Sequence, residues 1–383
     1  MYSRFFLLIP VAVLQTFVST SLMAQTPVIN KTKTGLWILS GQSNACGRAK
    51  LPGPMPDARV TMYDPAQKKF VIAQDPLPFM GTSGAGAWVA AAQQVVSEHE
   101  TQIRMCGFAS GGKPISFWHP GEPGHRGLFP VIEQAGQQAD VFLWYQGEND
   151  AGGNLTTAEY LQELTVHVAC VRKVSGNPKM LAVIIQLGPS LSKSRGGYMA
   201  LREAQRLFVI QDSHAILVPA LGRTLKDSVH LDNAGYQELG REIGRAVLRT
   251  QYNNRTGNWP GPILDAAMLQ PRTKARVQNI MVAHFAEVEK LQNVEISDFA
   301  VIDAEGTNRC NAITAGNTIV TLSFERDVVL PARLVYGFGT APQAALTDES
   351  GNRAPAVQIS VQQGKAPAEQ ATQLDNGAGL PLK

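Results

Sequence analysis

From about residue 35 to 250, short apolar runs alternate with stretches of helical period, and few folds accept that pattern. The runs are Leu36–Leu39, Ile103–Ala109, Val141–Tyr145, Leu181–Leu187 and Ile216–Leu221. Each is followed closely by Gly, Ser or an amide residue. Between them, Trp88–Glu98, Thr157–Val174, Tyr198–Val209 and Ala234–Thr250 carry apolar residues at helical spacing. Continuous apolar strands separated by amphipathic helices belong in a parallel sheet covered on both faces. The expected fold is therefore an α/β/α sandwich around a five-stranded parallel sheet. Ligands of such sheets bind beyond the carboxyl ends of the strands, so the chemistry should lie in the polar residues that follow each run.

The remainder of the chain divides on composition. Arg4, the apolar run Phe5–Val18 and a small residue at Ala24 read as a secretory signal peptide over 1–24. The run is short for a membrane span, and no Cys near the cut offers a lipid anchor. A secreted or periplasmic protein with no stable membrane insertion after cleavage is expected. The catalytic part is assigned to 25–250. Residues 251–262, rich in Asn, Gly, Pro and Arg, read as a linker. Strand-like runs with turns, such as Ile296–Asp303, Ile319–Phe324 and Ala332–Tyr336, then predict a smaller β-rich domain over 263–363. Ala275–Leu291 suits a helix as well as a strand. The polar tail 364–383 is expected to be disordered.

Lys and Arg total 34 against 31 Asp and Glu, a net charge of +3 in 383 residues. This lacks the basic excess of a phosphate-tracking protein and argues against a nucleic-acid partner. The four Cys (46, 106, 170 and 310) form no C-x-x-C and are too few for a disulfide-built fold. Buried free thiols are the expected state.

Four blocks carry candidate chemistry. The first run ends in Ser40-Gly41-Gln42-Ser43-Asn44. A Ser at a strand-to-loop turn beside a Gly can expose its hydroxyl with its own N–H facing the same cavity, although a helix-capping turn uses the same residues. The second ends in Ser110-Gly111-Gly112-Lys113, where paired Gly let the backbone approach a ligand. The third ends in Trp144-Tyr145-Gln146-Gly147-Glu148-Asn149-Asp150, whose amides can supply a further donor or cap a helix. After the fifth come Asp227-Ser228-Val229-His230, which can place a carboxylate beside an imidazole on a tight loop. The other six His lack that local setting. Trp118, in the Pro-, Gly- and His-rich loop Phe117–His125, is a candidate sugar platform, with ordinary packing as the alternative.

Taken in order, these blocks resemble those of the SGNH hydrolases, which contribute Ser, Gly, Asn and His. They are most similar to the branch holding sialate O-acetylesterases and the acetyl xylan esterases of carbohydrate esterase family 6. Gly41-Gln42-Ser43-Asn44, Gly111-Gly112, Trp144–Glu148, Leu201-Arg202-Glu203-Ala204-Gln205 and Asp227–His230 carry the resemblance. Gly261–Leu264, Val335–Gly339 with Pro342, and Leu346–Asp348 with Gly351 add a weaker one in the second domain. Two departures stand out: Leu231 follows His230 where Pro is common, and Lys113 follows the Gly pair where Ser or Thr is usual.

The resemblance implies a flavodoxin-like sandwich and an O-acetylesterase for carbohydrates such as sialic acid or xylan-type glycans. Catalysis would need no metal or other cofactor. Ser43 would be the nucleophile, His230 the base and Asp227 its orienting partner. The oxyanion would be held by the N–H of Ser43, that of Gly111 or Gly112, and the side chain of Gln146 or Asn149. Similarity to the branch favours Gln146, whereas Gly147-Glu148-Asn149-Asp150 fits the wider group and favours Asn149. Gln42 and Glu148 join Trp118 as candidate substrate contacts. An esterase for other small acyl esters, or a glycan-binding protein that lost catalysis, are the alternatives.

Overall fold

The computed structural model describes residues 34–81, 84–192, 196–253, 260–271 and 280–364. The expected leader (1–24), the tail beyond 364 and half of the expected linker (254–259) lie outside them. Among the described residues, no helix is long and apolar enough to cross a membrane.

The first sheet contains β1 (Thr34–Gly41), β2 (Val60–Asp64), β3 (Lys69–Ile72), β4 (Gln102–Ala109), β5 (Val141–Tyr145), β6 (Leu181–Gln186) and β7 (Ala215–Pro219). Their order is β3-β2-β4-β1-β5-β6-β7, so the sheet has seven strands where five were expected. The five predicted runs form its contiguous middle and one flank, all parallel. The additional pair is an antiparallel hairpin of which β2 joins β4 in parallel at the edge. These two strands escape an apolar-run criterion because they are short and interrupted by polar residues, with charged ends at Asp64 and Lys69, and β3 buries none of its residues.

Helices α2 (Trp88–Glu98) and α6 (Asn233–Gln251) pack together on one face; α3 (Pro123–Ala135), α4 (Thr157–Ser175) and α5 (Tyr198–Gln211) line up on the other. The four-residue α1 (Ser43–Cys46) follows β1 directly. Helix α3 begins inside the segment expected to be a loop up to His125. Its start matches Pro at the first helical turn, and Gly136 closes it in the left-handed conformation. At α4, Thr156 and Glu159 form a reciprocal capping box.

The chain first builds strands on one side of β1 and then crosses to β5 on the other, which makes the carboxyl end of β1 the switch point. In register, Gly41 pairs with both Ala109 and Tyr145. Three strands thus end in one row, and the loops after them leave the sheet at a single level.

The second sheet runs β14-β13-β10-β11-β12-β9-β8-β15, with β8 Ile263–Gln270, β9 Ile280–Ala286, β10 Phe299–Asp303, β11 Gly306–Ala315, β12 Ile319–Phe324, β13 Arg333–Tyr336, β14 Val357–Ser360 and β15 Gln362–Gln363. Only Val361 separates β14 from β15, so one segment pairs with both ends of the order and closes the sheet into a barrel. Closure removes exposed edges. The ambiguous segment up to Leu291 supplies strand β9, since alternate residues Met281, Ala283 and Phe285 point into the barrel core.

The two sheets are joined by buried polar contacts. Arg202 on α5, fully buried, donates to the carbonyls of Leu187, Gly188, Gly339 and Thr340. Gln186 exchanges hydrogen bonds with both backbone groups of Ala356. All four cysteines are free thiols, Cys46 and Cys106 buried and the others half-buried.

Candidate active site

The turn from β1 into α1 depends on Gly41. Its φ is +138°, and a Cβ there would lie 2.1 Å from the Tyr145 carbonyl oxygen. That close approach lets the Gln42 N–H reach the same carbonyl at 3.0 Å and turns the chain sharply at Ser43. Ser43 stands at the first position of α1, 7% exposed, so its N–H has no carbonyl within the helix to meet.

The Ser43 hydroxyl lies 2.9 Å from His230 Nε2, and His230 Nδ1 lies 2.8 Å from Asp227 Oδ2. Asp227 Oδ1 also accepts the N–H groups of Val229 and His230, which folds the carboxylate back beneath its own loop. Partial burial works to raise the Asp227 pKa, but those two N–H groups and the imidazole outweigh it and bring the carboxyl down to about 2. The next residues start α6, capped by Asp232, whose carboxylate accepts from Gly235 N and Thr224 Oγ1. The His230 loop is therefore clamped by a helix start immediately behind it.

The loop after β4 brings Gly111 against Ser43: a Cβ on Gly111 would sit 3.6 Å from Ser43 Cβ. Gly112, left-handed at φ +67°, faces open space, and its carbonyl accepts from Asn149 Nδ2 at 2.9 Å. Between the two glycines, Gly111 is the one beside Ser43.

The amide preference is corrected by the third loop. Gln146 is fully buried, and its Nε2 faces three acceptors, Gln42 Oε1, Lys113 O and Asp150 Oδ2, with only two hydrogens to give. Its Oε1 accepts from Tyr160 at 2.9 Å. No donor of Gln146 is left for a ligand. Asn149 is exposed and commits one Nδ2 hydrogen to Gly112, leaving the other.

The residues flanking Ser43 act on opposite loops. Gln42 Oε1 accepts from Gln146 Nε2, Gly147 N and Asn149 N, so it fixes the third loop and is buried away from any substrate. Asn44 Nδ2 donates to Glu148 Oε1 (2.7 Å) and to Val229 O (3.1 Å), while its Oδ1 accepts from Tyr236 Oη (2.6 Å) and Leu231 N (3.4 Å). Glu148, 2% exposed, is likewise a strut, and neither it nor Gln42 is placed to touch a sugar. Trp118 is 2% exposed and meets Trp144 edge-on at 5.1 Å, so it packs in the core and offers no platform.

Sequence reading gave no role to Asn44, Tyr236, Tyr160 or Gln205. Gln205 supports the third loop by donating to Gln146 O and holds Leu187 N. Asn44 adjoins Ser43 and Gln205 lies in a matching motif, but only the folded loops reveal what they hold.

Residues 33–249 match the family described as carbohydrate esterase, sialic acid-specific acetylesterase. No curated protein shows significant similarity to the chain. Among solved structures, the carbohydrate acetylesterase XAC1771 from Xanthomonas citri superposes with a TM-score of 0.62 at 15% identity, over 85% of this chain and 80% of that one. A protein from Arabidopsis thaliana gives a TM-score of 0.50 at 23% identity, over 57% of this chain and 98% of its own. The first likeness is long enough to reach beyond the α/β part into the barrel. With the family match spanning more than half its length, the chain belongs to the sialic acid-specific acetylesterase family of carbohydrate esterases.

Proposed function

We propose that the protein is an exported serine esterase that removes O-acetyl groups from carbohydrates through an acyl-enzyme on Ser43. The observation that carries this reading is the unbroken line from Ser43 Oγ through His230 to Asp227, at 2.9 and 2.8 Å. Ser43 Oγ attacks the acetyl carbon while its proton passes to His230 Nε2, and the carbonyl electrons move onto oxygen. Asp227, ionised down to about pH 2, holds the imidazole and balances the charge it gains. The oxyanion is received by the N–H groups of Ser43 and Gly111 and by Asn149 Nδ2. Collapse breaks the bond to the sugar oxygen, which takes the proton from His230. A water then attacks the acyl-enzyme with His230 again as base, releasing acetate and restoring Ser43.

Export rests on the leader-like segment 1–24, and amino-terminal sequencing of the protein recovered outside the cytoplasm tests it. For the chemistry, Ser43→Ala should abolish acetate release from acetylated glycans and aryl acetates while the protein stays folded. Retained turnover would remove Ser43 from the mechanism. Faster hydrolysis of longer acyl esters than of acetyl sugars would redirect the substrate class, and glycan binding without turnover would make the protein a lectin on this fold.

A further inference from the structure

We propose that the barrel positions the loop carrying Asp227 and His230, with Leu221 as the positioning residue that moors it, a proposal that rests on the esterase reading above. The apolar run Ile216–Leu221 outlasts strand β7, which ends at Pro219. Ala220 stays in the core of the first sheet, but Leu221, fully buried, belongs to the core of the barrel. Among the described residues, it is the one member of that core contributed by the α/β part. Its Cδ1 lies 3.6 Å from the point a Cβ on Gly337 would occupy, just after β13. The chain then returns at once: Leu225 packs against the first core and bridges to Leu231.

The backbone around Leu221 is held to the barrel as well. Gly222 turns the chain at φ +65°, so close to the barrel that a Cβ there would meet the carbonyl oxygens of Ala344 at 2.5 Å and Gln343 at 3.0 Å. Buried Arg223 donates to the carbonyls of Pro219 and Leu221 and pairs with Glu242, whose other oxygen accepts the Arg353 N–H. A second route reaches the middle of the loop. After β6, Ser190 N donates to Thr340 O in the barrel, and Leu191 N donates to Ser228 O, between Asp227 and His230. Beyond Gly222 the loop is tied to itself: Lys226 N donates to His230 O at 2.8 Å and Asp232 N to Thr224 O at 3.1 Å. A segment braced in this way passes a displacement at Leu221 on to His230 instead of absorbing it.

The test sets Leu221→Ala against Leu322→Ala in the full chain. Leu322 is also fully buried in the barrel core, on β12, three strands from β13. Both variants open a cavity in that core and should lower the melting temperature. Only Leu221→Ala should lower kcat for an aryl acetate, by about 10- to 100-fold with KM nearly constant. Leu221→Met, which keeps the volume, should restore most of the rate. Where Leu221→Ala does not fold, Leu221→Val gives a smaller change of the same kind. Loss of melting temperature with unchanged kcat would make Leu221 a packing residue, and an equal fall in kcat for Leu322→Ala would reduce the effect to barrel stability; either overturns the proposal. Hydrogen exchange by mass spectrometry reads the mooring without turnover. Amides of residues 224–231 should exchange at least about tenfold faster in Leu221→Ala and Gly222→Ala, and at the wild-type rate in Leu322→Ala. If the wild type hydrolyses no ester, the esterase reading fails and exchange alone decides: that pattern supports the mooring, and equal protection in all variants refutes it.

Discussion

Asn44 grips the chain on both sides of His230: its amide donates to the carbonyl of Val229 and its oxygen accepts the N–H of Leu231. The His230 loop follows β7, three strands away from β1, and must reach back across β5 and β6 to meet Ser43. The residue next to Ser43 is what anchors it on arrival. Tyr236 and Glu148 hold the Asn44 side chain in turn.

Asn44→Ala should therefore release the loop without touching a reacting atom. A displacement of this kind costs about a hundredfold in rate when reacting groups move by an ångström. The expected signature is a fall in kcat with KM for an aryl acetate nearly constant, and slower labelling of Ser43 by an organophosphate. A variant that lost thermal stability yet kept kcat would reduce Asn44 to a packing residue.

The two amides of the third loop should separate by measurement. Asn149→Ala removes an exposed donor beside Gly112 and should lower kcat by about a hundred- to a thousandfold, with the melting temperature nearly unchanged. Gln146→Ala strands Tyr160, Gln42 and Asp150 in a buried network and should cost about 1–3 kcal/mol of stability. The reverse pattern, with Gln146 controlling rate and Asn149 controlling stability, would restore the assignment that motif similarity favoured.

That reversal shows where the sequence stops being readable. Strand runs and their trailing polar residues were legible, because burial on both faces forces continuous apolar segments and a parallel sheet forces its loops to one end. Ser43, Asp227 and His230 were legible for the same reason. Gln146 and Asn149 have equivalent side-chain chemistry three residues apart, and only burial distinguishes them: one faces Tyr160 inside, the other faces solvent. Trp118 misled because an aromatic in a Gly- and Pro-rich loop gives no sign of which way it points. The β2–β3 hairpin was missed because β3, the edge strand, buries no residue and β2 has only five residues, so neither needs a long apolar run.

Asp227 sets a pH dependence with a definite sign. Its carboxyl is held at about 2 in the folded protein, below its ordinary value near 3.8, so its contribution to stability is complete above that ordinary value and is lost as pH falls through 2. The melting difference between wild type and Asp227→Asn should stay constant from pH 8 to 5 and shrink below about pH 4. The same variant should lose at least about a hundredfold in kcat at neutral pH, since an amide cannot balance the imidazolium. A melting difference that persists unchanged to pH 2.5 would show that the carboxylate charge contributes nothing to the loop.

Asp75 should behave in the opposite sense. It follows β3 and is 8% exposed; burial pushes its carboxyl up to about 7, against the pull of the Gly86 N–H. Its Oδ2 is buried without a partner among the described residues, and Gly53 packs so closely that a Cβ there would meet that oxygen at 2.5 Å. Between about pH 4 and 7 the folded chain holds a proton on Asp75 that the unfolded chain has released. Stability must therefore fall as pH rises through that window, by up to about 4 kcal/mol, and stay lowered above it. Asp75→Asn replaces the carboxyl by a group that cannot ionise. It should raise the melting temperature at pH 8 and change it little at pH 4, where wild-type Asp75 is already neutral. Equal effects at both pH values would mean that the site responds to shape alone, and a loss confined to pH 8 would mean that an ionised Asp75 supports the fold.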